Sequence, residues 1–171
     1  MRLFVAVWPS ADVLDVLADL PRPEVSGVRW TTKGQWHVTL RFFGHVAAGE
    51  VDQVTGTFGR IDVGSAGPVT ADMGPVTACL GRGILQVPVE GLDELARATV
   101  EATTGVGQPP DDRPFRGHLT LARARGRKGD LRRWRGTPLA ARWKVADLTL
   151  VASTPHREGS RYEVVASLPL A

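Results

Sequence analysis

The alternation of apolar and polar positions along the chain predicts many short strands and three helices. An apolar, β-prone run at 2–8 is followed by helical spacing of apolar residues directly after Ser10, which is placed as an N-cap. The stretch 62–83 is rich in Gly, Pro and Thr and predicts short strands joined by turns. The other strands are predicted at 28–31, 35–43, 84–89, 117–125, 143–152 and 161–168, and the other helices at about 48–60 and 92–105. This order of elements indicates an α+β fold.

Composition narrows the class of protein. No long linker interrupts the pattern, so residues 1–171 are predicted to form one domain. Hydrophobic residues make up 43% of the chain and charged residues 23%, as is usual for globular proteins. Cys79 is the single cysteine, so no internal disulfide is expected, and neither a signal peptide nor a membrane span is recognisable. These features predict a cytoplasmic protein.

Positive charge is concentrated in one segment of the chain. Residues 111–144 hold nine arginines and two lysines against three aspartates, a net charge of +8, whereas the whole chain carries +3. A basic segment in an otherwise acidic protein indicates an anionic partner such as nucleic acid. A solvated arginine-rich surface is the alternative interpretation of the same composition.

Two segments share a pattern of His, an apolar residue, Thr and Leu: WHVTLRFFG at 36–44 and GHLTLARARG at 117–126. Side chains of a strand alternate between its faces, so His37 and Thr39 point the same way, as do His118 and Thr120. The apolar residues of each motif fill the opposite face. Side by side, two such strands would present two imidazoles and two hydroxyls to one small anion.

With these motifs the sequence resembles the two-histidine (2H) phosphoesterase superfamily, whose signature is a pair of His-x-Thr-x motifs related by pseudo-symmetry. In particular it resembles the RNA 2′,3′-cyclic phosphodiesterases, also called 2′-5′ RNA ligases. The segments that extend the resemblance are MRLFVAV at 1–7, GVRW at 27–30, DDRPFRGHLTLAR at 111–123 and RYEVVASLPL at 161–170. The resemblance implies a bilobal monomer: two pseudo-symmetric lobes of antiparallel-rich sheet, helices packed outside, and both motifs in a central cleft.

The implied reaction is hydrolysis of an RNA 2′,3′-cyclic phosphate end to a 2′-phosphomonoester without a metal or other cofactor. It needs a base for the attacking water and an acid for the departing ribose oxygen, and histidine serves both because its pKa is about 6.5. By resemblance, His37 is the proton donor and His118 the proton acceptor; the residues alone do not separate these roles. Thr39 and Thr120 would donate hydrogen bonds to phosphate oxygens, where charge builds up.

Further substrate-binding residues are expected around the motifs. Strict alternation places Arg41 and Phe43 on the face of His37, so both are expected to contact the substrate. The resemblance implies that Arg123 reaches the phosphate, but it would face away unless the strand bulges or ends after Leu121. Other aromatic candidates for stacking on a terminal base are Trp30, Phe42, Phe115 and Tyr162.

The sequence also bears on cofactors and alternative functions. It contains no HExxH, no paired CxxC and no tight Asp/His cluster, so no metal site is predicted, and His45 and His156 are interpreted as surface residues. The absence of a GxxxxGK[ST] loop disfavours an ATP-dependent ligase. Two alternatives to hydrolysis stay open. One is reversible, ATP-independent 2′-5′ joining of RNA ends such as tRNA halves, and the other is a non-catalytic RNA-binding protein that uses 111–144.

Overall fold

The computed structural model describes residues 1–170, which form ten strands, three α-helices and three 3₁₀ turns. The strands are β1 (Arg2–Val7), β2 (Val28–Trp30), β3 (Val38–His45), β4 (Thr70–Met73), β5 (Ala78–Leu80), β6 (Ile84–Glu90), β7 (His118–Ala124), β8 (Ala141–Lys144), β9 (Asp147–Thr154) and β10 (Arg161–Pro169). The helices are α1 (Ala11–Ala18), α2 (Val51–Phe58) and α3 (Asp93–Ala102), and the 3₁₀ turns are Lys33–Gln35, Ala48–Glu50 and Arg132–Trp134.

The strands form one curled antiparallel sheet in the order β10-β9-β1-β3-β7-β6-β4-β8, with β2 added to β7 and β5 added to β6. One lobe of the sheet contains β1, β3, β9 and β10, and therefore takes strands from both ends of the chain. The other lobe contains β2 and β4–β8. The two lobes meet where β3 pairs with β7. The predicted α+β class and bilobal, antiparallel-rich sheet are confirmed.

The helices cover one face of the sheet and share a single apolar core with it. Each helix buries one apolar stripe. The buried residues are four apart in α1 and α2 and adjacent in α3: Val13, Leu17, Val54, Phe58, Leu95 and Ala96. β1 shows how the sheet divides: Leu3, Val5 and Val7 enter this core, whereas Phe4 and Ala6 are buried on the opposite face. That opposite face carries the candidate site.

Two predicted elements differ from the observed ones. The expected strand at 143–152 is two strands, β8 and β9, because the chain changes lobes there: β8 pairs with β4 and β9 pairs with β1. The expected strand at 35–43 begins with a 3₁₀ turn, and β3 itself starts only at Val38. No helix within residues 1–170 is long and apolar enough to cross a membrane.

Candidate active site

The two motif strands lie next to each other at the junction of the lobes. β3 and β7 run antiparallel with Val38 opposite Leu119. The same register sets each motif histidine across from the threonine of the other motif. One cleft of about 440 Å³ is lined by all four polar motif residues: His37, Thr39, His118 and Thr120.

Both imidazoles are oriented in the same way by the backbone. His37 Nδ1 lies 2.8 Å from the carbonyl oxygen of Gln35, and His118 Nδ1 lies 3.0 Å from that of Arg116. A carbonyl only accepts hydrogen bonds, so Nδ1 carries the proton in each neutral ring and Nε2 is left with a lone pair for the substrate. In each case the carbonyl belongs to the residue two positions before the histidine.

A bulge in β7 brings Arg123 into the cleft. Thr120 pairs with Gln86 and Ala122 pairs with Leu85, so Leu121 has no partner on β6. A bulge of one residue reverses the alternation of the residues that follow it. Leu121 and Ala122 are therefore both buried, and Arg123 lines the cleft with the motif residues. This is the irregularity that the position of Arg123 required.

A bulge at the equivalent point of β3 overturns the expectation for Arg41 and Phe43. Thr39 pairs with Ala6 and Arg41 pairs with Val5, so Leu40 is the extra residue. Beyond it, Arg41 and Phe43 turn away from the cleft and are only 4% and 0% exposed. Phe42, which strict alternation placed on the opposite face, lines the cleft instead, and it is 44% exposed.

Arg41 does not line the cleft and instead forms hydrogen bonds with buried backbone groups. Its guanidinium donates to the carbonyl oxygens of Phe42 at 2.8 Å, Val106 at 3.3 Å and Gln108 at 2.6 Å. It also lies over the ring of Phe43, 5.0 Å from the centroid. The side chain therefore ties the bulged part of β3 to the segment after α3.

His37 is surrounded by aromatic rings on the face of the sheet opposite the main core. The ring centroids of Phe4, Trp8 and Tyr162 lie 4.9, 5.2 and 5.1 Å from that of His37. Burial lowers the pKa of His37 to about 4, and the charges of His118 and Arg123 add to this, although the Gln35 carbonyl opposes it. His37 is therefore neutral at pH 7 in the free protein.

The chain shares this strand arrangement with several solved structures. TT0787 of Thermus thermophilus matches with a TM-score of 0.78 and 24% identity, over 99% of this chain and 98% of that chain. E. coli LigT complexed with NADP+ matches with a TM-score of 0.74 and 23% identity, over 99% and 97% of the two chains. The chain has the LigT fold. The PDE domain of MHV ns2 also matches, with a TM-score of 0.60 and 18% identity, over 96% of this chain and 100% of that domain.

These neighbours confirm the fold that the resemblance implied. A comparison of the sequence with protein-family models gives no match, and a comparison with curated proteins gives none either. The structural likeness therefore rests on the fold, which is preserved at sequence identities below 25%.

Several cleft residues of this LigT fold were not expected from the sequence. They come from β1, β2 and the residue after it, the 3₁₀ turn before β3, and the β9–β10 hairpin: Arg2, Phe4, Arg29, Thr31, Gln35, Ser153 and Ser160. Arg29 is directly opposite Arg123 in the β2–β7 pair. Gly159 allows the turn of this hairpin, because its φ of +115° is one that residues with a Cβ rarely adopt, and the side chains of Arg29 and Gln35 lie against it.

The aromatic candidates divide into two groups. Phe42 and Tyr162 line the cleft. Trp30 and Phe115 do not: Trp30 packs edge-to-face against Trp134 with centroids 5.2 Å apart, and Phe115 packs against the main core. Within residues 1–170, no group of three or more His, Cys, Asp or Glu side chains is arranged to hold a metal ion.

Proposed function

We propose that the protein hydrolyses RNA 2′,3′-cyclic phosphate ends to 2′-phosphomonoesters, with His37 and His118 as an acid–base pair and without a metal ion. The observation that carries the proposal is the pair of imidazoles in one cleft, each bonded to a carbonyl at Nδ1 so that Nε2 is available. Two titratable groups in different environments are what a reaction with one acid and one base requires.

The proposed reaction is a single displacement at phosphorus. His118 Nε2 takes a proton from water as the water oxygen attacks, and His37 Nε2 gives its proton to the 3′ oxygen as the P–O3′ bond breaks. The hydroxyls of Thr39 and Thr120, with the guanidinium of Arg123, would stabilise the negative charge on the non-bridging oxygens. Each histidine is expected to contribute about 10²–10⁴-fold to the rate.

The donor role of His37 depends on the substrate, because its pKa of about 4 leaves it neutral in the free protein. A phosphate charge about 4 Å away contributes about 4 kcal/mol at an effective dielectric constant of about 20. That energy corresponds to about three pKa units, enough to raise the pKa of His37 from about 4 to near the pH of a neutral solution. The acid is therefore charged only when the cyclic phosphate occupies the cleft.

Ligands of structural neighbours agree with an RNA end as the substrate. LigT has been solved with 3′-AMP, with phosphate and with ATP. The present cleft offers matching groups: the cations Arg2, Arg29 and Arg123 for phosphate, and the exposed ring of Phe42 for a base. RNA fragments such as tRNA halves are the proposed substrates, and a monomer is the proposed active form.

The test is an assay on a nucleoside 2′,3′-cyclic phosphate and on an oligonucleotide with the same end, in excess EDTA. We expect 2′-phosphate product, no effect of the chelator, and loss of about 10²–10⁴-fold in rate for both His37→Ala and His118→Ala. Lys144→Ala, remote from the cleft, is the control. A chelator-sensitive rate would overturn the mechanism. Joined RNA at high RNA concentration would favour ligation, and tight RNA binding without turnover would favour a binding protein.

A further inference from the structure

A second concavity lies outside the active-site cleft, beside β2. It measures about 500 Å³, and the residues that define it include Val25, Val28, Lys128, Asp130, Arg132 and Arg133. We call it the basic groove. Val28 and Arg29 are neighbours on β2 and therefore point to opposite faces, so the groove and the cleft lie on either side of one short strand.

The basic groove has an excess of positive charge that the protein itself does not neutralise. Asp130 accepts hydrogen bonds from Arg132 at Nε, 3.0 Å, and Nη2, 2.6 Å, so these two charges cancel. Lys128 and Arg133 form no ion pair with any residue in the described range 1–170. The guanidinium of Arg133 is 4.0 Å from the ring centroid of Trp134, which holds the cation at the rim on an aromatic surface.

A group of cations lies along the β2–β7 pair, beside the cleft. Arg29 and Arg123 face each other in the β2–β7 pair, and the next residue on that face, Arg125, follows where the strand ends. The turn after β7 lies against the start of β2: a Cβ on Gly27 would be 2.8 Å from the Gly129 nitrogen. Burial, and then the charges of Arg125 and Arg123, lower the pKa of Arg29, which reflects this crowding of positive charge.

We infer that the basic groove binds phosphates of the RNA strand that leads away from the cyclic phosphate end. The inference rests on the proposed function, because the strand must begin in the cleft. Single-stranded RNA is a row of anions with exposed apolar base faces, and the lining of the groove combines basic side chains with the apolar Val25 and Val28. The groove and the cleft share no lining residue, so we expect the groove to act only on substrates longer than a single nucleoside.

The experiment compares a nucleoside 2′,3′-cyclic phosphate with a short, unstructured oligoribonucleotide that has the same end. In the double variant Lys128→Ala/Arg133→Gln, kcat/KM for the oligonucleotide is expected to fall about 10-fold, with no change for the nucleoside. The slope of log affinity against log salt should fall by about 1.4, or about 0.7 for each lost phosphate contact. The control Lys144→Ala/Arg60→Gln removes the same charge, and neither residue lines the cleft or the groove.

The outcomes separate the two proposals. If neither the nucleoside nor the oligonucleotide is hydrolysed by the unaltered protein, the proposed function fails. If the nucleoside is hydrolysed but the double variant loses no more oligonucleotide activity than the control, the groove inference alone fails. An equal loss on both substrates also overturns it. Fluorescence anisotropy with an unreactive oligoribonucleotide ending in a 2′-phosphate gives a readout that needs no turnover, and unchanged affinity in the double variant contradicts the inference.

Discussion

β3 and β7 carry the same His-x-Thr-Leu sequence and bulge at the same point after it. In both strands the leucine of the motif is the extra residue, so the residue five positions after the histidine returns to the cleft. That residue is Phe42 in β3 and Arg123 in β7. The same backbone irregularity thus presents an aromatic ring on one side of the site and a cation on the other.

The surroundings of the two histidines differ more than their sequences do. His37 lies among the rings of Phe4, Trp8 and Tyr162, and burial there lowers its pKa to about 4. Within residues 1–170, no such set of rings surrounds His118. The side chains around the two similar motifs, and not the motifs themselves, therefore place the imidazoles in unequal environments, as the proposed acid–base pair requires.

The sharpest test of this division is a substrate in which sulfur replaces the departing 3′ oxygen. His37→Ala and His118→Ala are each expected to lose about 10²–10⁴-fold in kcat on the oxygen substrate. A thiolate leaves without a proton because the thiol pKa is about 8.5. Single-turnover rates on the sulfur substrate should therefore recover in His37→Ala alone. Recovery in His118→Ala instead would reverse the two roles.

Replacing either motif threonine is expected to lower kcat, but only one replacement is expected to change the pH–rate profile. Thr39→Val and Thr120→Val should each lower kcat about 10²-fold, since each removes a proposed hydrogen bond to a phosphate oxygen. The Thr39 hydroxyl is also 3.2 Å from Nε2 of His37, so only Thr39→Val should shift the pH–rate profile as well. Thr→Ser variants keep the hydroxyl and are expected to retain activity; their failure to do so would exclude this role.

The buried position of His37 should make stability depend on pH. In the unfolded chain His37 takes up a proton at about pH 6.5, and in the folded protein only at about pH 4. Between these values the unfolded state binds more protons, so stability falls as the pH falls. From pH 7 to pH 5 the contribution is about 2 kcal/mol. Urea unfolding should show this loss reduced in His37→Gln and kept in His118→Gln. Equal losses in the unaltered protein and His37→Gln would contradict it.

The smallest expected effects distinguish the two residues at the bulges. Phe42→Ala should raise KM about 10-fold for an RNA end, at low and high salt alike, because it removes a stacking surface. Arg123→Ala should lower kcat/KM about 10-fold at low salt and less at high salt, because it removes a charge. Phe43→Leu, in the core, should reduce the free energy of unfolding and leave KM unchanged. If the rise in KM caused by Phe42→Ala depended on salt, the assignment of stacking to Phe42 and charge to Arg123 would be wrong.

Much of the site followed from local pattern. Alternation within a strand was enough to pair His37 with Thr39 and His118 with Thr120, and the structure brings these four residues to one cleft. Alternation failed at Arg41 and Phe43 because a bulge depends on which residues of the neighbouring strand form hydrogen bonds. For β3 that neighbour is β1, whose register skips Leu40. No pattern within residues 36–44 records that skip.

The sequence by itself determined most of the strands, the helices, the two motifs and the concentration of basic residues in 111–144, because each depends on neighbours in the chain. Only the tertiary structure decided that the residue five places beyond each histidine faces the cleft, and which rings enclose His37. Phe4, Trp8 and Tyr162 come from β1, the residue after it and β10, and they meet His37 only when β1 pairs with both β3 and β9. The pKa of His37 is set by that assembly, since burial is a property of the packed sheet and not of any segment.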